Sequence, residues 1–97
     1  MSSFALTRKA LADLRVIAVY PEERWGKEQR RLYLEQLDDA FHLLAASPGL
    51  GKCCAEILPG YRKFLQGRHL IFFKNGTETT ILIVRILHQS MDVPVLL

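Results

Sequence analysis

Hydrophobic positions recur every three to four residues in the first half of this chain. In the second half they alternate or run together. From Arg8 onward Leu11, Leu14, Ile17 and Ala18 keep helical spacing, and Ala10 and Val16 widen the stripe. Thr7 is a suitable N-cap, since its hydroxyl can accept from one of the first helical N–H groups, which have no partner within the helix. Pro21 removes a helical hydrogen bond and crowds the preceding turn. The pattern therefore predicts a kink or break near Val19–Tyr20, a further turn through Arg24 and Trp25, and a stop at Gly26. A second helix is predicted over 27–46. Tyr33, Leu34, Leu37, Phe41, Leu44 and Ala45 form its apolar face, with Glu28, Arg31, Glu35, Asp38 and Asp39 opposite. His42 sits among those apolar positions and is expected to be structural.

Residues 3–6 read as a short strand with Phe4 and Leu6 on one face, and the glycine- and proline-rich segment 49–60 reads as a loop. Three strands follow, over 61–65, 69–74 and 79–87, joined by turns at Gln66-Gly67 and Asn75-Gly76. The expected fold is α+β and a single domain over 1–97. It comprises an N-terminal strand, an α-helical hairpin, and then a three-stranded antiparallel sheet.

The run Ile81-Leu82-Ile83-Val84-Arg85-Ile86-Leu87-His88 is apolar on both faces of a strand. Simple alternation puts Leu82, Val84 and Ile86 on one face with His88, and Ile81, Ile83 and Leu87 on the other with Arg85. The helical hairpin is enough to cover one face only. The second face calls for a partner chain or for the C-terminal tail, 89–97, folded back over it. Burial of each further Ile, Leu or Phe contributes about 1.5–3 kcal/mol, which makes an uncovered face a binding surface.

Composition narrows the class. Hydrophobic residues make up 49% and charged residues 24% of the chain, which excludes a disordered tail. There is no apolar run of the roughly 18–20 residues that would span a membrane, and the first residues lack the order of a secretion signal. A cytoplasmic location is expected. Cys53 and Cys54 are adjacent, so a bond between them would be strained, and a reducing compartment fits. His42, His69 and His88 are too scattered to suggest a metal site, and neither metal nor cofactor is expected. The net charge of +3 suits an acidic protein partner or nucleic acid without deciding between them.

The candidate chemistry lies in Arg62, Lys63, Arg68, His69, Arg85 and His88. Cleavage of RNA would need cations to hold phosphate and groups to move protons at the 2′-hydroxyl and the leaving oxygen. Alternation separates Arg85 from His88, and a bulge or strand end near Leu87 would be needed to unite them. Arg85 is expected either to pair with Asp92 or Glu56 or to anchor an acidic partner segment. Arg62, Lys63 and Arg68 either solvate and protect an edge strand or meet an acidic partner. Trp25 is expected to pack at the helical hinge.

The order of elements carries five residue runs: Leu6-Thr7-Arg8-Lys9-Ala10, Arg24-Trp25-Gly26, Tyr33-Leu34-Glu35-Gln36-Leu37, Pro59-Gly60-Tyr61-Arg62-Lys63-Phe64, and Val84-Arg85-Ile86-Leu87-His88-Gln89-Ser90-Met91-Asp92. Together they resemble the ParE toxins of bacterial type II toxin–antitoxin systems, within the RelE/ParE superfamily. The chain departs from that pattern at Pro21, where members usually continue the first helix. The resemblance implies a toxin that inhibits DNA gyrase by binding, with no catalytic residues of its own. It also implies neutralisation by a ParD-like antitoxin. The implied contact set for antitoxin or target is Arg62, Lys63, Arg68, Ile81, Ile83, Arg85, Leu87 and His88. The superfamily's other branch, RelE-like toxins that cut messenger RNA on the ribosome, is the alternative. Many of its RNase members use a tyrosine after the arginine of the last strand, and this chain has none there.

Overall fold

The computed structural model describes residues 3–19, 22–55 and 57–90, without the side chains of 22–25. Pro21, Glu56, Asp92 and the tail from residue 91 therefore lie outside the described residues, as does the side chain of Trp25. The elements run β1 (Phe4–Leu6), α1 (Arg8–Ala18), α2 (Glu22–Ala46), a 3-10 turn (Pro48–Leu50), β2 (Lys52–Cys53), β3 (Arg62–Gln66), β4 (His69–Asn75) and β5 (Ile81–His88).

Thr7 begins α1 as expected. Its Oγ1 accepts from the Ala10 N–H at 3.1 Å and donates to the Val84 carbonyl at 2.7 Å, while its own N–H reaches the Ile83 carbonyl at 3.0 Å. One residue thus caps the helix and ties its first turn to β5. Gly26 interrupts α2 at φ +67°, a left-handed conformation that side chains with a Cβ resist. The expected stop is there, preceded by the short turn from Glu22. The inward face of α1 is narrower than its sequence stripe. Ala10 and Ile17 are buried and Leu14 packs on the core, but Leu11 and Val16 are exposed.

The described strands form one sheet in the order β1-β5-β4-β3-β2. Its β2–β5 part is antiparallel, while β1 runs parallel to β5 and pairs Phe4 with Ile81 and Leu6 with Ile83. The sheet therefore gains β1 on one edge and, on the other, the two-residue β2 inside the segment expected to be loop.

Simple alternation along β5 fails. Phe73 opposes Ile83 and Phe72 opposes Arg85, which leaves Val84 as an extra, bulged residue. The bulge resets the parity. Ile81, Ile83 and Ile86 all join the helix-side core, with Ile71, Phe73, Leu37, Phe41 and Leu44. Leu87 goes to the far face with Phe72. The grouping of Ile86 with Leu82 and of Leu87 with Ile81 and Ile83 is corrected by this one inserted residue.

The far face is also covered at its centre. Phe72 and Leu87 are buried beneath Cys54, with Ile57, Tyr61 and Leu70 packed around them. The covering loop holds its own shape. Cys54 N–H donates to the Tyr61 carbonyl at 3.0 Å, and Leu58 N–H to the Cys54 carbonyl at 3.1 Å. Ile81, Ile83 and Leu87, expected on an open partner-facing surface, are at most 1% exposed. The folded chain itself covers them, which corrects the expectation of an open face. Among the described residues, no helix is long and apolar enough to cross a membrane.

Candidate functional site

The sheet places the predicted cationic residues in different surroundings. On β3, Arg62 and Lys63 are consecutive and so point to opposite faces. Arg62 is half-buried, and its Nη1 donates to the Gly51 carbonyl at 2.9 Å, which anchors the segment before β2. Lys63 lies opposite Lys52 across the edge pair. Like charges in that position repel each other and keep the edge from pairing with another strand. Arg68 is exposed in the β3–β4 turn. The expected cluster is therefore dispersed over an edge, a face and a turn.

Arg85 has a structural partner that sequence reasoning did not name. Its Nε donates to Asp13 Oδ2 and its Nη2 to Asp13 Oδ1, both at 2.8 Å. Asp13 Oδ2 also accepts from the Ile86 N–H at 3.0 Å. Beyond the end of β1 the outer edge of β5 would otherwise expose that N–H. Asp13 closes the edge and holds α1 on the sheet at the same time. Both side chains are only 15% exposed, so the fork-to-carboxylate geometry is well shielded. The Asp13 hydrogen bond makes the Arg85 guanidinium hold its proton more tightly still. The two partners expected for Arg85, Asp92 and Glu56, lie outside the described residues. The signal for Asp13 was an acidic residue on the inward side of α1, one position before the buried-side Leu14. Sequence separation hid it.

His88 and His69 face each other directly across β4 and β5. Their rings meet edge-to-face with centroids 5.5 Å apart. His88 Nδ1 bonds to the Ser90 hydroxyl at 2.7 Å and accepts from the Ser90 N–H at 3.2 Å. His69 Nδ1 lies 2.5 Å from the hydroxyl of Tyr33 on α2. Sequence reasoning treated Tyr33 as core. It is a polar hub instead, with its apolar ring on the core side. Burial pushes its phenol above the ordinary value. His42 corrects another expectation. It is exposed, lying against the Phe4 ring and 3.4 Å from Asp38, because its position on α2 falls just outside the buried stripe.

Among the described residues, most exposed large apolar side chains lie on the helices, Leu11, Val16 and Val19 on α1 and Leu32 and Leu43 on α2, with Leu50 and Leu65 exposed elsewhere. A cleft of about 300 Å³ between α1 and α2 is lined by Leu14, Arg15, Ala18, Leu34, Asp38 and Phe41. On α1 nearby, Val16 is 66% and Val19 73% exposed. The excess apolar residues of α1, beyond what one inward stripe requires, were the sequence signal for this surface. Among the described residues, no group of three or more His, Cys, Asp or Glu side chains is arranged to hold a metal ion.

Comparison with known proteins agrees with this architecture. The family model described as "ParE toxin of type II toxin-antitoxin system, parDE" matches residues 4–93. Toxin ParE1 of Mycobacterium tuberculosis is 44% identical over 92 residues, covering 95% of this chain and 94% of the relative. Toxin ParE1 of Caulobacter vibrioides is 38% identical with the same coverage. Toxin ParE of Escherichia coli is 36% identical, covering 95% of this chain and 89% of the relative. A solved structure titled "Chromosomal ParDE TA system from P. aeruginosa" superposes with a TM-score of 0.75 at 24% identity, covering 91% of this chain and 96% of the other. That likeness shows the shared fold. With the family model spanning nearly the whole chain, and relatives this similar along their length, this chain belongs to the ParE toxin family of type II toxin–antitoxin systems.

Proposed function

We propose that this chain is a single-domain toxin that inhibits DNA gyrase by binding, without catalytic chemistry, and that a ParD-like antitoxin neutralises it in the cytoplasm. One observation carries the choice of binding over catalysis. Three of the six groups that would serve cleavage are engaged within the fold: Arg85 with Asp13, Arg62 with the Gly51 carbonyl and His88 Nδ1 with Ser90. The open apolar surface, by contrast, is concentrated on the helical hairpin. The names of the relatives support the toxin assignment, and the antitoxin is the partner such a toxin requires.

The antitoxin covers the α1–α2 cleft and, further round α1, the exposed Val16 and Val19, because open apolar surface is costly to leave in water. Lys63, Arg68 and His88 are the accessible members of the expected contact set and meet acidic groups of antitoxin or target. Arg62 and Arg85 act by holding the framework. Ile81, Ile83 and Leu87 contribute through the core.

The test is supercoiling by purified gyrase with this protein titrated in and a ParD-like antitoxin then added back. Inhibition with accumulated cleaved DNA, reversed by antitoxin, is the expected result. Lack of inhibition at high excess, with cleavage of ribosome-bound messenger RNA instead, would replace this proposal by the RelE-like alternative. Val16→Asp should weaken antitoxin binding while the circular dichroism spectrum stays unchanged.

A further inference from the structure

The chain contains one asparagine, Asn75, and the residue after it is glycine. The pair lies where β4 turns toward β5, yet neither residue takes the left-handed conformation that Asn and Gly tolerate. Asn75 is instead the last residue of β4 and pairs with Ile81. Gly76 N–H then donates to the Thr80 carbonyl at 3.2 Å, which closes a loop over 76–80. Ser3 fastens the far end of that loop. Its carbonyl accepts from the Thr80 N–H at 3.0 Å, and its own N–H donates to Thr80 Oγ1 at 3.1 Å. A Cβ at Gly76 would come within 2.4 Å of the Thr79 carbonyl oxygen, so the loop needs glycine there. Asn75 is exposed, and among the described residues no hydrogen bond holds its side chain.

We propose that Asn75 is a site of spontaneous deamidation, and that the β4–β5 loop restrains the reaction by holding the Gly76 N–H. The chemistry needs only the chain's own backbone and water. The Gly76 nitrogen gives its proton to solvent base and attacks Asn75 Cγ. A new carbon–nitrogen bond forms, the bond from Cγ to the side-chain nitrogen breaks, and that nitrogen leaves as ammonia with a proton taken from solvent. The product is a five-membered succinimide. Water then adds to one of its two carbonyls and opens the ring, leaving aspartate or isoaspartate at position 75. Glycine favours the attack because no Cβ crowds its nitrogen. Two features oppose it in the folded chain: the Gly76 N–H is engaged by Thr80, and pairing with Ile81 fixes the backbone at Asn75. The loop must therefore open before the ring can close. The glycine that the tight loop demands is the same one that makes its neighbour reactive. Either product puts a carboxylate where a neutral amide stood. Isoaspartate also lengthens the main chain beside the bonds that fasten Ser3 to Thr80. None of this rests on gyrase being the target.

The test is peptide-mapped mass spectrometry of the full chain, incubated at neutral and mildly alkaline pH, both folded and in guanidinium chloride. Aspartate and isoaspartate are separated by chromatography. Both should appear at position 75, and faster at the higher pH. Gln66 also precedes a glycine, but it should stay intact because its longer side chain would have to close a six-membered ring. Hydrogen exchange of the Gly76 amide measures opening of the loop independently. Hairpins close in about microseconds, far faster than the chemical step, so both reactions follow the population of open loop. The deamidation rate in guanidinium chloride divided by the rate in the folded chain should therefore match the Gly76 protection factor to within about threefold. Asn75→Gln should abolish the products. Equal rates in the folded and unfolded chain would overturn the proposal. So would an Asn75 that stays intact in the folded chain beyond the time the protection factor predicts, or products that persist in Asn75→Gln.

Discussion

The two faces of the sheet are built from similar residues and closed in different ways. On one face Ile71, Phe73, Ile81, Ile83 and Ile86 meet two helices. On the other, Phe72 and Leu87 meet a loop through Cys54, Ile57 and Tyr61. Helices bring regular rows of large side chains and a rigid backbone. A loop brings a few side chains held by local hydrogen bonds. Both leave the central residues dry, so burial of a residue does not reveal how firmly its neighbours are held.

Substituting the paired phenylalanines separates those properties. Phe73→Ala should cost about 4–5 kcal/mol, since the helices cannot close on the cavity, whereas Phe72→Ala should cost about 3 kcal/mol because the loop can settle. Urea denaturation measures both. Equal losses would mean that the loop is as unyielding as the helices.

Asp13→Ala tests how the helix-side layer is attached. It leaves the Arg85 guanidinium and the Ile86 N–H without their carboxylate and should cost about 2–4 kcal/mol. Arg85→Ala should cost less, since Asp13 keeps the Ile86 N–H. The reverse order in thermal melts would place the greater role with Arg85.

Gly67→Ala affects the margin between the layers. The residue has φ +61° and no room beside Tyr33, so a loss of about 1–2 kcal/mol is expected. A loss below that range would mean that the Tyr33 ring moves aside freely.

The smallest effect is that of pH. His69 has a lowered proton affinity in the folded chain, so the unfolded chain binds the proton more readily. The contribution is present above about pH 6.5, the ordinary histidine value, and is lost as pH falls through the lowered folded-state value. The half-exposed ring keeps it below about 1 kcal/mol. Denaturation midpoints of the native chain and His69→Gln, compared at neutral and mildly acid pH, should converge in acid. Parallel curves would remove His69 from the account.

Periodicity and local chemistry in the sequence determined the α+β class, the Thr7 cap, the break at Gly26, the helical core positions Leu37, Phe41 and Leu44, and the three antiparallel strands. These depend on contacts within a turn or between chain neighbours. The residue runs likewise carried the likeness to ParE toxins, which the relatives bear out. Tertiary structure alone decided the rest. The bulge at Val84 exchanged the faces of Ile86 and Leu87, because an inserted residue shows only when two strands are set side by side. Asp13 found Arg85 across 72 positions. Tyr33 met His69 only once α2 lay over the β3–β4 turn. The centre of the far sheet face is closed because a loop with no periodic signature folded over Phe72 and Leu87, and most of the exposed large apolar side chains lie on the helices instead. Spacing along a chain records which residues share a face of their own element; only packing decides what that face meets.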